Sequence, residues 1–131
     1  MNFAEKNLRV LVVDDDAIHV KLLANRLEEH GFKVVASTEA SEGLQIAMKE
    51  NVDLIILDVM MPIINGFNFC RLLKSQKEKQ HIPVIMLTSR DEETDIEIGL
   101  EMGADAYLTK PLNMDSLLST IQTLICNQND D

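Results

Sequence analysis

The sequence predicts an α/β domain built on a doubly wound, five-stranded parallel sheet with helices on both faces. Three observations lead there. Short aliphatic runs of strand length, such as Leu54 to Leu57, alternate with segments whose apolar residues recur at i, i+3, i+4 and i+7. Strands alternating with helices in 131 residues mean βαβ units, and right-handed crossovers then fix most of the topology. Polar residues gather where the aliphatic runs stop, which is where parallel sheets of this kind bind ligands.

The first strand, Leu8 to Val13, ends in three acids, Asp14, Asp15 and Asp16. Asp16 is placed to cap a helix from Ala17, with Val20, Leu23, Ala24 and Leu27 on one face and Gly31 as its stop. Phe32 to Ala36 is the second strand. Ser37 or Thr38 caps a second helix lined by Ala40, Leu44, Ala47 and Met48, and Asn51 is its expected left-handed end.

Leu54 to Asp58 is the third strand, and Pro62 breaks the chain soon after. Asn65 and Gly66 mark a turn before a third helix carrying Phe69, Leu72 and Leu73, which closes in the polar run Lys74 to Gln80. Ile82 to Leu87 is the fourth strand, with Pro83 near its start. Asp91, Glu92 and Glu93 suit the positive end of a fourth helix whose inward face is Ile96, Gly99, Leu100 and Gly103. Ala106 to Thr109 is the fifth strand, and Asn113 caps a last helix carrying Leu117, Leu118, Ile121 and Ile125.

Residues 1–131 are expected to form one domain, with a core over about 8–126 and a polar tail at 127–131. Hydrophobic residues make up 46% and aromatic residues 4%, so the core must be aliphatic. A net charge of −10 argues against direct contact with nucleic acid or an anionic membrane and favours partners with basic faces. Cys70 and Cys126 form neither a disulfide framework nor a metal-ligand spacing, which suits reduced thiols in a cytoplasmic protein. No leader-like apolar stretch or membrane-length run occurs, so the chain is expected to be soluble and unprocessed.

The strand ends bring together Asp14 and Asp15, Asp58, Thr88 with Ser89, and Lys110. Three carboxylates within several ångströms repel by roughly 1 to 4 kcal/mol per pair, and a divalent cation relieves that. An all-oxygen site with room for water favours Mg²⁺, with Mn²⁺ as a substitute. His19, His30 and His81 lie in helical or loop stretches and are expected on the surface. A carboxylate beside a metal, a lysine and a hydroxyl can receive a phosphoryl group. Asp58 would attack phosphorus, Lys110 would neutralise the equatorial oxygens and Thr88 would hydrogen-bond the product.

VLVVDDD, LIILDVMMP, PVIMLTS and GADAYLTKP, in that order, resemble the receiver domain of two-component response regulators, the CheY-like (βα)5 fold within the flavodoxin-like class. The resemblance covers about Leu8 to Ile125 and implies the strand order 2-1-3-4-5. It implies that Asp58 accepts a phosphoryl group from a histidine kinase or a histidine phosphotransfer protein. Mg²⁺ would be held by Asp15, Asp58 and the Met60 carbonyl, with Asp14 acting through water. Lys110 would contact the phosphoryl group beside a cis peptide to Pro111, Thr88 would move to it, and Tyr107 would change rotamer.

Ile98 and Met102, four apart and off the inward face of the fourth helix, would join Tyr107 in a partner face on the fourth helix, fifth strand and fifth helix, suited to an output protein or a homodimer. As isolated positions they would be ordinary apolar surface residues. Met60 and Arg90 flank the pocket in the family. A thioether cannot orient water as an amide can, which predicts a long-lived phosphoryl group.

The resemblance makes the chain a signalling domain that catalyses only its own phosphotransfer and dephosphorylation. It leaves open a single-domain regulator or the receiver part of a longer regulator or hybrid kinase. A haloacid-dehalogenase-type phosphatase is the rival: Asp14, Asp16 and Ile18 loosely resemble its start, but only Asp115 follows Lys110 as a candidate for its later acidic motif. A flavodoxin-like ligand-binding domain would need a glycine-rich phosphate loop that this sequence lacks.

Overall fold

The fully aliphatic runs become strands buried from both sides. The computed structural model describes residues 7–59, 65–88 and 101–128. In chain order these give β1 (Arg9–Val13), α1 (Ala17–Glu29), β2 (Lys33–Ser37), α2 (Ala40–Lys49), β3 (Leu54–Asp58), α3 (Gly66–Lys74), β4 (Val84–Thr88), β5 (Ala106–Thr109) and α4 (Met114–Gln128). All pairings are parallel, in the order β2-β1-β3-β4-β5. The predicted fourth-helix face at Ile96, Gly99 and Leu100 lies outside the described residues, as does the tail from residue 129.

Side-chain alternation divides the core into two layers. Leu11, Val13, Ile55, Leu57, Val84 and Met86 meet Ala47 of α2 and Phe69, Cys70 and Leu73 of α3. Val10, Val12, Leu54, Ile56, Ile85 and Leu87 meet Val20, Leu23 and Leu27 of α1 and Leu117, Ile121 and Ile125 of α4. Every residue of β3 and β4 is buried, so neither strand can show the polar alternation of a one-sided sheet. Fully burying each large aliphatic side chain contributes about 1.5–3 kcal/mol, and the two central strands carry much of that gain.

The caps show where local chemistry decides an element's ends. Asp16 caps α1 as predicted, its Oδ1 accepting from the backbone N–H groups of Ile18 and His19. At the other end Gly31 takes φ 93°. Its N–H donates to the Glu28 carbonyl at 3.0 Å, while the Phe32 N–H donates to the Leu27 carbonyl at 3.2 Å. This is a Schellman closure, with Phe32 and Leu27 in the same apolar layer. Phe32 therefore ends the helix, and β2 starts one residue later than expected.

Two cap assignments need correction. Glu39, not Ser37 or Thr38, is the N-cap of α2, and it makes no side-chain cap bond. The Ser37 Oγ instead accepts from the Glu39 N–H at 3.2 Å. Nor is Asn51 left-handed: α2 ends in extended backbone at Glu50, and Asn7 is the one non-glycine with positive φ among the described residues. Asn113 behaves as predicted, accepting from the Ser116 N–H at 3.1 Å.

Candidate functional site

Parallel register brings the strand ends level. Val13 pairs with Leu57, Asp58 with Leu87, and Thr88 with Thr109. Asp14, the residue after β1, extends the ladder by donating its N–H to the Ser37 carbonyl at 3.2 Å. Asp14 follows Val10 and Val12 in the alternation, and Asp58 follows Leu54 and Ile56, so both carboxylates project on the side covered by α1 and α4. On the far edge the Lys110 N–H donates to the Thr88 carbonyl at 2.6 Å, and the Lys110–Pro111 peptide is cis, as the resemblance implied.

Asn65 and Gly66 seat α3 under this rim. Asn65 is the helix N-cap, its Oδ1 accepting from the Asn68 N–H at 2.9 Å. The Gly66 N–H donates to the Val59 carbonyl at 3.0 Å. A Cβ at Gly66 would come within 2.7 Å of the Asp58 carbonyl oxygen and 2.8 Å of the Val59 Cα, so a side chain there would push α3 off the strand that carries Asp58.

Asp14, Asp15 and Asp58 each offer a carboxylate oxygen, all within 4.8 Å of one another. Asp14 and Asp58 are buried and Asp15 is exposed. The Lys110 Nζ lies 3.4 Å from Asp14 Oδ2 and 3.8 Å from Asp58 Oδ1, so one cation is shared by two acids. Burial alone would push the Asp14 carboxyl up. The Asp16 N–H, the His19 ring and the Lys110 ammonium outweigh it and hold the group below the ordinary carboxylate value. Three oxygen donors at this spacing suit a hard divalent cation.

His19 corrects the expectation that all three histidines stand away from the site. Its Nδ1 lies 2.5 Å from Asp14 Oδ2, and the side chain is 25% exposed. No helical period could show this contact, because it crosses the junction between β1 and α1. The signal available was the Asp16 cap, which folds the first turn of α1 back over the strand end. His19 and Lys110 also line a neighbouring cavity of about 390 Å³, together with Leu22, Arg26 and Met114.

The remaining predicted site residues divide between described and undescribed positions. Thr88 is fully buried at the end of β4. Tyr107 is half-buried against the α2–α3 layer with its hydroxyl shielded from solvent. Met102 packs against the same layer, so the expectation that it stands clear of the core is corrected. Met60, Arg90 and Ile98, along with Ser89, lie outside the described residues.

A doubly wound sheet with an acidic cluster and a lysine at its carboxyl rim defines a class of α/β domains that bind ligands beyond the carboxyl ends of their strands. Within that class the chain belongs to the response regulator receiver domain family, which residues 10–122 match. It is 40% identical over 119 residues to the alkaline phosphatase synthesis transcriptional regulatory protein PhoP of Bacillus subtilis, covering 91% of this chain and 49% of the relative. It is 38% identical to the protein PilH of Pseudomonas aeruginosa, covering 89% of this chain and 97% of the relative. A receiver domain protein (CheY-like) from Methanospirillum hungatei superposes with a TM-score of 0.86 at 30% identity, covering 94% of this chain and 97% of that one. The chain spans about half the length of PhoP and nearly all of PilH. Among the described residues no helix is long and apolar enough to cross a membrane.

Proposed function

We propose that Asp58 is the phosphoacceptor of this receiver domain, working with Mg²⁺ bound at the acidic rim. The observation that carries the reading is the convergence of Asp14, Asp15 and Asp58 within 4.8 Å, beside the Lys110 ammonium. Asp15 and Asp58, with the Met60 carbonyl, would hold the ion directly, and Asp14 through water. When bound, the ion offsets the repulsion among the acids and neutralises charge on the incoming phosphoryl oxygens.

The donor is a phosphohistidine on a histidine kinase or a histidine phosphotransfer protein. A carboxylate oxygen of Asp58 forms the new bond to phosphorus as the bond from phosphorus to the imidazole nitrogen breaks. The electron pair stays on that nitrogen, which then takes up a proton. Lys110 accompanies the transferred group, since its ammonium already reaches toward Asp58. Apart from this transfer and the later loss of phosphate, the chain catalyses nothing.

Phosphorylation adds about two negative charges and three acceptor oxygens, which bias a pre-existing two-state equilibrium. Moving such a domain from mostly off to mostly on takes roughly 3 to 5 kcal/mol of differential interaction. Thr88 at the rim and Tyr107 behind it supply the two-state element, and a face with Ile98 reads it out to an output protein, an attached output domain or a second copy. Met60 and Arg90 set the phosphoryl lifetime. The whole chain, residues 1–131, works as one receiver unit in the cytoplasm.

Acid-quenched mass spectrometry after incubation with acetyl phosphate and Mg²⁺ tests the assignment. One phosphoryl group on the peptide carrying Asp58 is expected, and none without the cation. Modification at Asp14, the nucleophile of the phosphatase alternative, overturns it.

A further inference from the structure

The contact between His19 and Asp14 belongs to no step of the transfer, yet it reaches into the acidic cluster. The Asp14 carboxyl is buried, and its Oδ2 lies 2.5 Å from His19 Nδ1. A carboxylate only accepts hydrogen bonds, so in this contact the imidazole is the donor through Nδ1–H. The other oxygen, Oδ1, accepts from the Asp16 N–H at 3.0 Å. Asp14 is thus gripped at both oxygens by the first turn of α1 and the chain leading into it. Lys110, 3.4 Å from Oδ2, also leans toward Asp58 at 3.8 Å.

We infer that His19 is a positioning residue for the cation site: its Nδ1–H fixes the Asp14 carboxylate and leaves the Lys110 ammonium available to Asp58. This rests on the reading of the acidic rim as a Mg²⁺ site. Both halves follow from counting donors. With His19 removed, Oδ2 has Lys110 as its one remaining donor among those above. The ammonium is then drawn toward Asp14, and the carboxylate can rotate on the Asp16 N–H. Both changes act on groups whose spacing defines the site. His19 does not touch the reacting atoms, and its ring is a quarter exposed on a surface helix, so its replacement leaves the core intact.

The geometry of the contact also separates positioning from general packing. Nδ1 is bonded directly to Cγ of the imidazole, as the side-chain nitrogen of asparagine is bonded to its Cγ. In glutamine the amide stands one carbon further out, where it matches Nε2 instead. His19→Asn keeps a donor at the right place, His19→Gln moves it away, and His19→Ala removes it.

Calorimetric titration with MgCl₂ of the wild-type chain, these three variants and Asp58→Asn tests the inference. His19→Ala is expected to bind Mg²⁺ about tenfold more weakly, the lower end of the effect of losing an outer-shell partner. His19→Asn should restore affinity to within about twofold of wild type, on the same principle, while His19→Gln should stay near the alanine value. Wild-type affinity in His19→Ala, tighter binding in it, or equal behaviour of the asparagine and glutamine variants would overturn the inference. Failure of the underlying reading looks different: wild type itself would show no Mg²⁺ binding, or Asp58→Asn would bind as wild type does.

Discussion

The two ends of the sheet handle charge in opposite ways. At the amino end Lys74 and Arg9 each have their own acceptors. The Lys74 ammonium donates to the Ile82 carbonyl at 2.6 Å, the Gln80 carbonyl at 3.0 Å and Asp105 Oδ2 at 3.1 Å, while Asp105 Oδ2 also accepts from the Val84 N–H at 2.8 Å. Arg9 pairs with Glu50, and the Arg9 N–H donates to Asp53. At the carboxyl end three carboxylates lie together, and one lysine is divided between two of them. Charge at the amino end holds the strands and their connections in place, whereas at the carboxyl end acids are crowded together, which suits the proposed cation site.

The largest expected effect lies at the carboxyl end. Asp58→Asn should abolish Mg²⁺-dependent labelling by acetyl phosphate while leaving the far-UV circular dichroism of the fold unchanged. Retained labelling on another residue would remove the basis of the comparison.

The next effect separates the ends by pH. Cys70, fully buried on the inner face of α3, has its thiol pushed from 9.0 up to about 11, chiefly by burial, with Lys74 opposing and Asp105 adding to the rise. A raised value means the folded state resists ionisation that the unfolded chain undergoes. Stability is therefore intact below pH 9 and falls as pH climbs toward 11, by about 3 kcal/mol at about 1.4 kcal/mol per pH unit. In Cys70→Ala this part of the alkaline loss should vanish from denaturation curves, even though the smaller side chain lowers stability overall. Wild type and variant losing stability in parallel across that window would show that the thiol is not the cause.

Lys74→Met comes third. It removes the charged donor from two backbone carbonyls and Asp105, and should cost about 2 kcal/mol in urea denaturation with no change in Mg²⁺ affinity. Weakened Mg²⁺ binding in this variant would show that the two ends are not independent. Smallest of all, Arg9→Ala breaks an ion pair whose side chains are 39% and 40% exposed, and should cost under about 1 kcal/mol. A larger loss would mean that the Asp53 and Glu50 contacts act as one network.

The sequence exposed the strands more clearly than the contacts between elements. Leu54 to Asp58 matches β3 because a short aliphatic run buried on both faces has few other ways to fold, and Ala106 to Thr109 matches β5 although that edge strand is only partly buried. Strand ends carry the site, so Asp14, Asp58, Thr88 and Lys110 could be placed once the strands were known. Helix ends were less legible. Ser37 and Asn51 have the chemistry of caps, but Ser37 bonds locally before the helix and Asn51 follows an extended exit. His19 was missed because its partner is set by how α1 leaves β1, a three-dimensional property with no period. Met102 was placed off the inward face by helical spacing, yet it packs against the core.

On the proposed function, the carboxyl rim gives up stability to keep a cation site. The most direct test of this claim compares the unfolding free energy of wild type and Asp58→Asn with and without Mg²⁺. Without the cation, the variant should be the more stable by about 1 kcal/mol or more, since a repelling charge has been removed. With Mg²⁺ at a hundred times its dissociation constant, wild type should gain about 2.7 kcal/mol and the variant much less, reversing the order. A wild type that is the more stable without Mg²⁺, or equal gains in both proteins, would contradict the claim.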